Sequence, residues 1–306
     1  MEQKPSFESS LKSKDTNDFL DLHFYRPIGY RLALFFHKLK VTPNQITIAS
    51  IFIGIAGGIC FYYENLWISL IGILCMIWAN AFDCADGQLA RMTNQKSSWG
   101  RILDGAAGDL WFIAIYLAIV FRLWPEWDFC ILILGAITGY CHTQQALLAD
   151  YYKNLHLLFQ NGKKGSELHN SKSVNIAYLS YSWKEQPIHK LFEWFYLNYT
   201  KSQERWTPKL QKMLDILNDD YNGEPPKGFT DAFLNKSIKI IPAANAMVFN
   251  IRSIVLAVSV LINMPWIYFV FEITVLNILF IYMRNTHEKF CKDFTDNLLL
   301  KKSTQD

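Results

Sequence analysis

The sequence predicts an all-α integral membrane protein with about six transmembrane helices, an N-terminal interfacial helix and a long cytoplasmic insert between helices 4 and 5. Three observations predict it. Residues 46–63, 129–148 and 253–271 run without Asp, Glu, Lys or Arg, each near the roughly 20 residues that cross a hydrocarbon core as helix. Shorter apolar runs at 66–82 and 110–121 reach that length if each helix continues into flanking polar sequence, and 266–283 supplies a sixth. The basic residues are also lopsided: seven precede Gln45 and thirteen lie between Lys153 and Lys239, whereas the connections on the other side hold only Arg122. Because Lys and Arg are retained on the cytoplasmic side, both termini are expected there.

Taken in order, residues 1–41 form a cytoplasmic N-terminus and interfacial helix. Residues 1–17 are polar without a periodic apolar face, which reads as disorder and shows no core for a cleavable signal. Residues 19–39 mix Phe and Leu with Arg26, Arg31, His37 and Lys38, as suits a helix lying in the interface plane, with Pro27 expected to interrupt it. Thr42-Pro43-Asn44 then turns into the first spanning helix, and 42–150 holds the first four. Residues 151–239 are the insert. Their aromatic cluster, Phe192, Trp194, Phe195, Tyr196 and Trp206, reads as short interfacial helices, with an independent domain as the alternative. Residues 240–285 hold the last two spans and 286–306 a cytoplasmic tail. The six cysteines form no C-x-x-C pair and read as small buried hydrophobes. A net charge of +3 is too small to indicate nucleic acid, and membrane lipids account for where the basic residues lie.

The chemistry gathers between Asp83 and Asp109, in DCADGQLARMTNQKSSWGRILDGAAGD. A carboxylate at the cytoplasmic end of an apolar helix is costly unless it meets water, a partner or a metal. At 100° per residue, Asp83, Asp86, Gly87 and Ala90 fall within about 100° of one another. One face thus joins two carboxylates to two residues of almost no bulk, so a large polar ligand can lie against the backbone. Asp104 brings a third carboxylate from the next helix. Carboxylate oxygens suit Mg²⁺ or Mn²⁺, which commonly bridge phosphates, and Arg91 offers bidentate hydrogen bonds to a phosphate.

At these residues the chain resembles the CDP-alcohol phosphotransferases, whose motif is D-x2-D-G-x2-A-R-x8-G-x3-D-x3-D. Asp83, Asp86, Gly87, Ala90, Arg91, Gly100 and Asp104 match it in type and spacing, and Pro43-Asn44-Gln45-Ile46-Thr47 is similar to the family's P-N-x-x-T segment. The resemblance implies two divalent ions on Asp83, Asp86 and Asp104, a CDP-activated lipid donor contacted by Asn44, Thr47, Gly87, Ala90, Arg91 and Ser97, a polar alcohol acceptor, and a homodimer. It places a catalytic carboxylate four residues after Asp104, where this chain has Gly108, with Asp109 one residue on. A π-bulge eased by Gly105 and Gly108 would bring Asp109 onto the face of Asp104 as base and further metal ligand.

The implied reaction moves a phosphatidyl group from CDP-diacylglycerol to an alcohol with release of CMP, at a cytoplasmic active site. Arg252, in the fifth apolar helix, is the clue to the acceptor, because an arginine there is expensive. With Arg101 it would hold an anionic acceptor, which favours inositol phosphate, inositol or glycerol phosphate over choline or ethanolamine. A salt bridge to Glu272 is the competing account of Arg252. His142, Gln144, Gln145 and Asp150 read either as pocket lining or as a solvated helix end. Three other readings stand beside this one: a CDP-choline or CDP-ethanolamine phosphotransferase acting on a lipid alcohol, a cation transporter, and a catalytically inactive lipid-binding relative. The transporter predicts carboxylates spread through the membrane, whereas here they gather at one face.

Overall fold

The computed structural model describes residues 7–10, 13–95, 98–162, 168–221 and 223–303, without the side chains of 9, 98, 99, 101, 102 and 301–303. Every regular element among them is helical. Of the N-terminal stretch expected to be disordered, residues 1–6 and 11–12 lie outside the described residues, and Glu8–Ser10 forms a 3₁₀ turn. A π-helical turn, Asp21–Tyr25, leads directly into α1 (Arg26–Lys38). Pro27 is the second residue of α1, directly after that π-helical turn, so the expected interruption takes the form of a change of helix type.

Helix α2 (Pro43–Cys60) opens on a reciprocal capping box between Thr42 and Gln45. Helix α3 (Leu66–Met92) opens on Asn65, whose side chain accepts from the backbone of Trp67 and Ile68. Helix α4 (Ser98–Trp127) carries Asp104 and ends where Asp128 takes a left-handed φ of 46°, after which α5 (Phe129–Asn161) begins. The stretch expected to be an interfacial insert folds into α6 (Ser171–Ser180), α7 (Pro187–Trp206), α8 (Pro208–Tyr221) and α9 (Phe229–Ser237). Then come α10 (Ile241–Ala246), α11 (Phe249–Leu261), α12 (Trp266–Phe271), a second π-helical turn at Glu272–Leu276, and α13 (Asn277–Ser303).

Among the described residues, five helical stretches are long and apolar enough to cross a membrane: Pro43–Cys60, Leu66–Met92, Leu103–Trp127, Phe229–Leu261 and Trp266–Leu300. The long connection thus falls between the third and fourth of them, not between a fourth and a fifth. The expected span at 129–148 is missing from this set because His142, Thr143, Gln144 and Gln145 place polar side chains midway along α5.

The chain divides into two compact units, Met1–Thr143 with Val248–Leu276, and Gln144–Met247 with Asn277–Asp306. In the second, Phe159, Phe229, Phe233, Phe290 and Phe294 interlock as an aromatic core, and α8 packs along α13. Two members of the polar stripe on α5 join helices in this unit: Gln144 accepts from the Trp206 indole at 2.8 Å, and Gln145 donates to Asn277 at 2.7 Å. Asp150 accepts from Tyr199 at 3.1 Å. Asp150 is exposed, as the solvated helix end would have it, while Gln145 is buried.

In the first unit α2 packs against both α3 and α4, and glycines set the approach. A Cβ at Gly57 would stand 2.9 Å from the Cys75 Cβ on α3, one at Gly58 would stand 3.0 Å from the Ala114 Cβ on α4, and one at Gly54 would enter the Trp111 ring. Small residues that let helix backbones approach are the usual device of helix packing in membranes. Gly54→Ala is therefore expected to destabilise the bundle by about 1–3 kcal/mol through overpacking, read as a lowered melting temperature in detergent. Gly105→Ala is the control, because a Cβ there meets nothing within 4 Å.

Candidate carboxylate metal centre and donor site

Helix α3 arrives at this site after a long apolar run and presents Asp83 and Asp86 one turn apart. Helix α4 supplies Asp104 near its start. One ligand oxygen from each of the three lies within 4.8 Å of the others. Asp86 is 3% exposed, Asp83 is half-buried and Asp104 is exposed, so the cluster opens outward through Asp104. Three carboxylates so close repel one another unless a proton or cation lies between them. Asp86 Oδ2 is enclosed without a hydrogen-bond partner. A buried acceptor so left fits a cation, and the all-oxygen donor set is the one that Mg²⁺ and Mn²⁺ take.

The other predicted donor contacts divide by position. Thr47 on α2 is buried, bonds the Pro43 carbonyl at 3.1 Å and is also a side-chain neighbour of Asp86, while Asn44 is half-buried one turn earlier. Gly87 and Ala90 are half-buried on the Asp86 side of α3. The Arg91 guanidinium folds back over Gly87, its Nη1 standing 3.4 Å from where a Cβ would be. Arg91 Nε donates to the Ser10 carbonyl at 2.5 Å. Ser97 and the Arg101 side chain lie outside the described residues.

Two expectations are corrected. Helix α4 is α-helical from Ser98 to Trp127 with no π-bulge, so Asp109 stands about 140° around the helix from Asp104, and it is not part of the three-carboxylate group. The π-helical turns lie elsewhere, at Asp21–Tyr25 and Glu272–Leu276. Arg252, expected to meet an anionic acceptor, has a counter-charge within the protein. It is fully buried and ion-paired with Glu272, whose other oxygen accepts from the Tyr268 hydroxyl. His142 Nδ1 lies 2.6 Å from Arg252 Nη1 and 2.8 Å from the Tyr116 hydroxyl, and Phe112 covers the assembly. The competing salt-bridge account describes Arg252.

The sequence reading passed over Arg26 and Gln88. Buried Gln88 donates to the Ser10 hydroxyl and to the Arg26 carbonyl, both at 3.2 Å, and so ties the N-terminal segment to the motif helix. These links cross 78 and 62 residues of sequence, which no local pattern announces.

Fold and site together define a helical protein of membrane-spanning composition with a carboxylate centre suited to divalent ions and phosphate. Residues 40–156 match the family model described as CDP-alcohol phosphatidyltransferase, and that segment is homologous to the family. It is 35% identical over 107 residues to the archaetidylinositol phosphate synthase of Pyrococcus horikoshii, covering 35% of this chain and 53% of that protein. It is also 35% identical over 81 residues to an uncharacterized protein of Aquifex aeolicus, covering 26% of this chain and 40% of that protein. The chain thus spans about half the length of the curated relatives it matches.

Two outcomes follow from this geometry. Mn²⁺ is expected to raise the melting temperature of the wild-type protein, as any ligand confined to the folded state does, and Asp86→Asn is expected to remove most of that rise. Glu272→Gln is expected to cost about 3–5 kcal/mol by leaving Arg252 buried without its counter-charge. Chemical denaturation in detergent would register the loss, and the paired change Arg252→Met with Glu272→Leu is expected to recover much of it.

Proposed function

We propose that the protein is a metal-dependent phosphatidyltransferase that moves a phosphatidyl group from CDP-diacylglycerol to a polar alcohol and releases CMP. The observation that carries this reading is the convergence of Asp83, Asp86 and Asp104 inside the segment homologous to the family. The acceptor hydroxyl forms a new O–P bond at the phosphorus bearing the lipid, the bond to CMP breaks, and the hydroxyl proton passes to a carboxylate. Two divalent ions, when bound, offset the charge of the pyrophosphate and of the departing CMP. Asp83, Asp86 and Asp104 hold them; Gly87 and Ala90 keep the approach to the backbone open for the nucleotide, with Asn44, Thr47, Arg91 and Ser97 around it.

Because Gly108 offers no acceptor and Asp109 faces elsewhere, Asp104 is the carboxylate placed to receive the proton, being the exposed member of the three. With Arg252 paired to Glu272, the preference for inositol phosphate, inositol or glycerol phosphate rests on the name of the Pyrococcus relative, a synthase of an inositol phosphate lipid. The site and both termini face the cytoplasm, by the placement of Lys and Arg. Helix α5, at 33 residues, is the sixth span, its polar side chains turned to neighbouring helices. One observation favours a second reading, a relative that binds the donor without turnover: the glycine at 108.

CMP release from CDP-diacylglycerol, offered in turn inositol phosphate, inositol, glycerol phosphate and serine, tests the proposal. CDP-choline and CDP-ethanolamine with diacylglycerol serve as the opposing arm. Asp83→Asn is expected to abolish release, and Asp109→Asn to keep it within about threefold, well short of the 10²–10⁴-fold loss typical of a removed general base. Gly108→Asp is expected to raise turnover. CDP binding with no CMP from any pair would establish the second reading, and turnover of CDP-choline alone would reverse the choice of donor.

A further inference from the structure

The donor site has a second wall, built by the N-terminal segment. Helix α1 crosses the motif turn of α3 at Gly29, where a Cβ would stand 2.8 Å from the Cys84 Cβ and 3.1 Å from the Ala85 backbone nitrogen. That contact lies between Asp83 and Asp86. Arg26 is one turn before Gly29 on the same face of α1, and its own carbonyl is fastened to α3 by Gln88 at 3.2 Å. The start of α1 is therefore fixed against the turn that bears two of the three carboxylates.

The Arg26 side chain is itself held. Its Nε donates to Asn17 Oδ1 at 3.2 Å, a bond that leaves out the Nη1/Nη2 edge, which can take two oxygens at once. Asp18 and Asp21, on the same segment, accept from Asn250 of α11 at 2.7 and 2.9 Å. The segment is thus anchored on α3 and α11 to either side of Arg26. Burial alone would lower the Arg26 guanidinium; Cys84, Asp21, Asp83 and Asp104 lie within electrostatic range and hold it up. A fixed guanidinium within electrostatic range of Asp83 and Asp104 offers positive charge where a pyrophosphate and its metal ions must balance theirs.

We infer that Arg26 is a phosphate-binding residue of this site, presented by the interfacial helix to the pyrophosphate of the CDP-activated donor. Arg91, whose Nε donates to the Ser10 carbonyl of the same N-terminal segment, would supply the second guanidinium. The inference rests on the transferase reading and adds to it a residue from outside the motif. Gln88, Gly29 and Asn17 are positioning residues for Arg26.

The test compares full-length wild type, Arg26→Gln and Arg26→Lys in detergent with Mg²⁺, measuring CDP and CMP affinity by calorimetry and donor and acceptor KM by CMP release. Loss of a charge-assisted contact to the second phosphate is expected to weaken CDP roughly tenfold or more, to raise the donor KM in parallel, and to leave CMP affinity and acceptor KM nearly unchanged. Arg26→Lys is expected to fall between, since it keeps charge without the bidentate edge. If Arg26→Gln does not run as a single species on size exclusion, Arg26→Lys carries the same comparison. Unchanged CDP affinity in a folded variant overturns the inference, as does a rise confined to the acceptor KM, which would assign Arg26 to an acceptor phosphate. A lowered melting temperature with CDP and CMP weakened equally would make Arg26 a structural brace and also overturn it. Wild-type protein that neither binds CDP nor releases CMP would remove the transferase reading itself, which keeps the two failures apart.

Discussion

Helix α2 has glycine at each place where α3 and α4 come closest to it, and the spacing of those two helices is set there. Gly57 meets Cys75 and the Gly72 carbonyl on α3, while Gly54 and Gly58 meet Trp111 and Ala114 on α4. The carboxylates depend on that spacing. Asp83 and Asp86 belong to α3 and Asp104 to α4, and their oxygens gather within 4.8 Å although each pair of charges repels by about 3 kcal/mol at an effective dielectric near 20. Packing in the apolar part of the bundle therefore imposes the cluster, and a divalent ion is the natural counterweight. The same helix contributes Thr47 to the site, so scaffold and ligand wall are one element.

Among the described residues of the first unit, three charged assemblies differ in their balance. Arg252 and Glu272 cancel, with His142, Tyr116 and Tyr268 completing their hydrogen bonds. Arg122 donates to the Phe61 carbonyl and to Asn263 and faces Glu64 at 3.9 Å, which ties the ends of α2, α4 and α11. The Arg252 assembly is closed, whereas Arg122 Nε is left without a hydrogen-bond partner beside an exposed Glu64. At the third, Asp83 and Asp104 lie within electrostatic range of Arg26, and Asp86 Oδ2 has no hydrogen-bond partner. An enclosed acceptor among surplus carboxylates fits a cation, whereas a neutral and satisfied pair calls for none.

This contrast also shows what the sequence could reveal. The carboxylate cluster was legible because its parts sit at short intervals on two consecutive helices, where the 100° step alone predicts a shared face. Arg252 was legible as a costly residue but ambiguous in role, since its partner is twenty positions on and the π-helical turn at Glu272 leaves no local signature. Arg26 was read only as part of an interfacial helix. Its position beside the aspartates depends on Gly29 and Gln88 making tertiary contacts, information that no window of residues contains. The insert was legible as helices but not in its packing: Trp206 packs on Phe280 of α13 and bonds Gln144 of α5. Composition reports that an apolar face exists but not which surface covers it.

The glycines of α4 differ in kind from those of α2. A side chain at Gly54 or Gly58 would strike a neighbouring helix, but one at Gly105 or Gly108 would meet nothing within 4 Å. Packing thus requires the first pair and leaves the second unexplained, although each glycine within a helix costs about 1 kcal/mol relative to alanine. Their location supplies the reason. Gly105 follows Asp104 directly and Gly108 lies one turn on, so the face of α4 beside the exposed carboxylate is kept open. Position 108 thus carries neither a charge nor bulk, and that face of α4 stays open beside the cluster whose helices the glycines of α2 hold together.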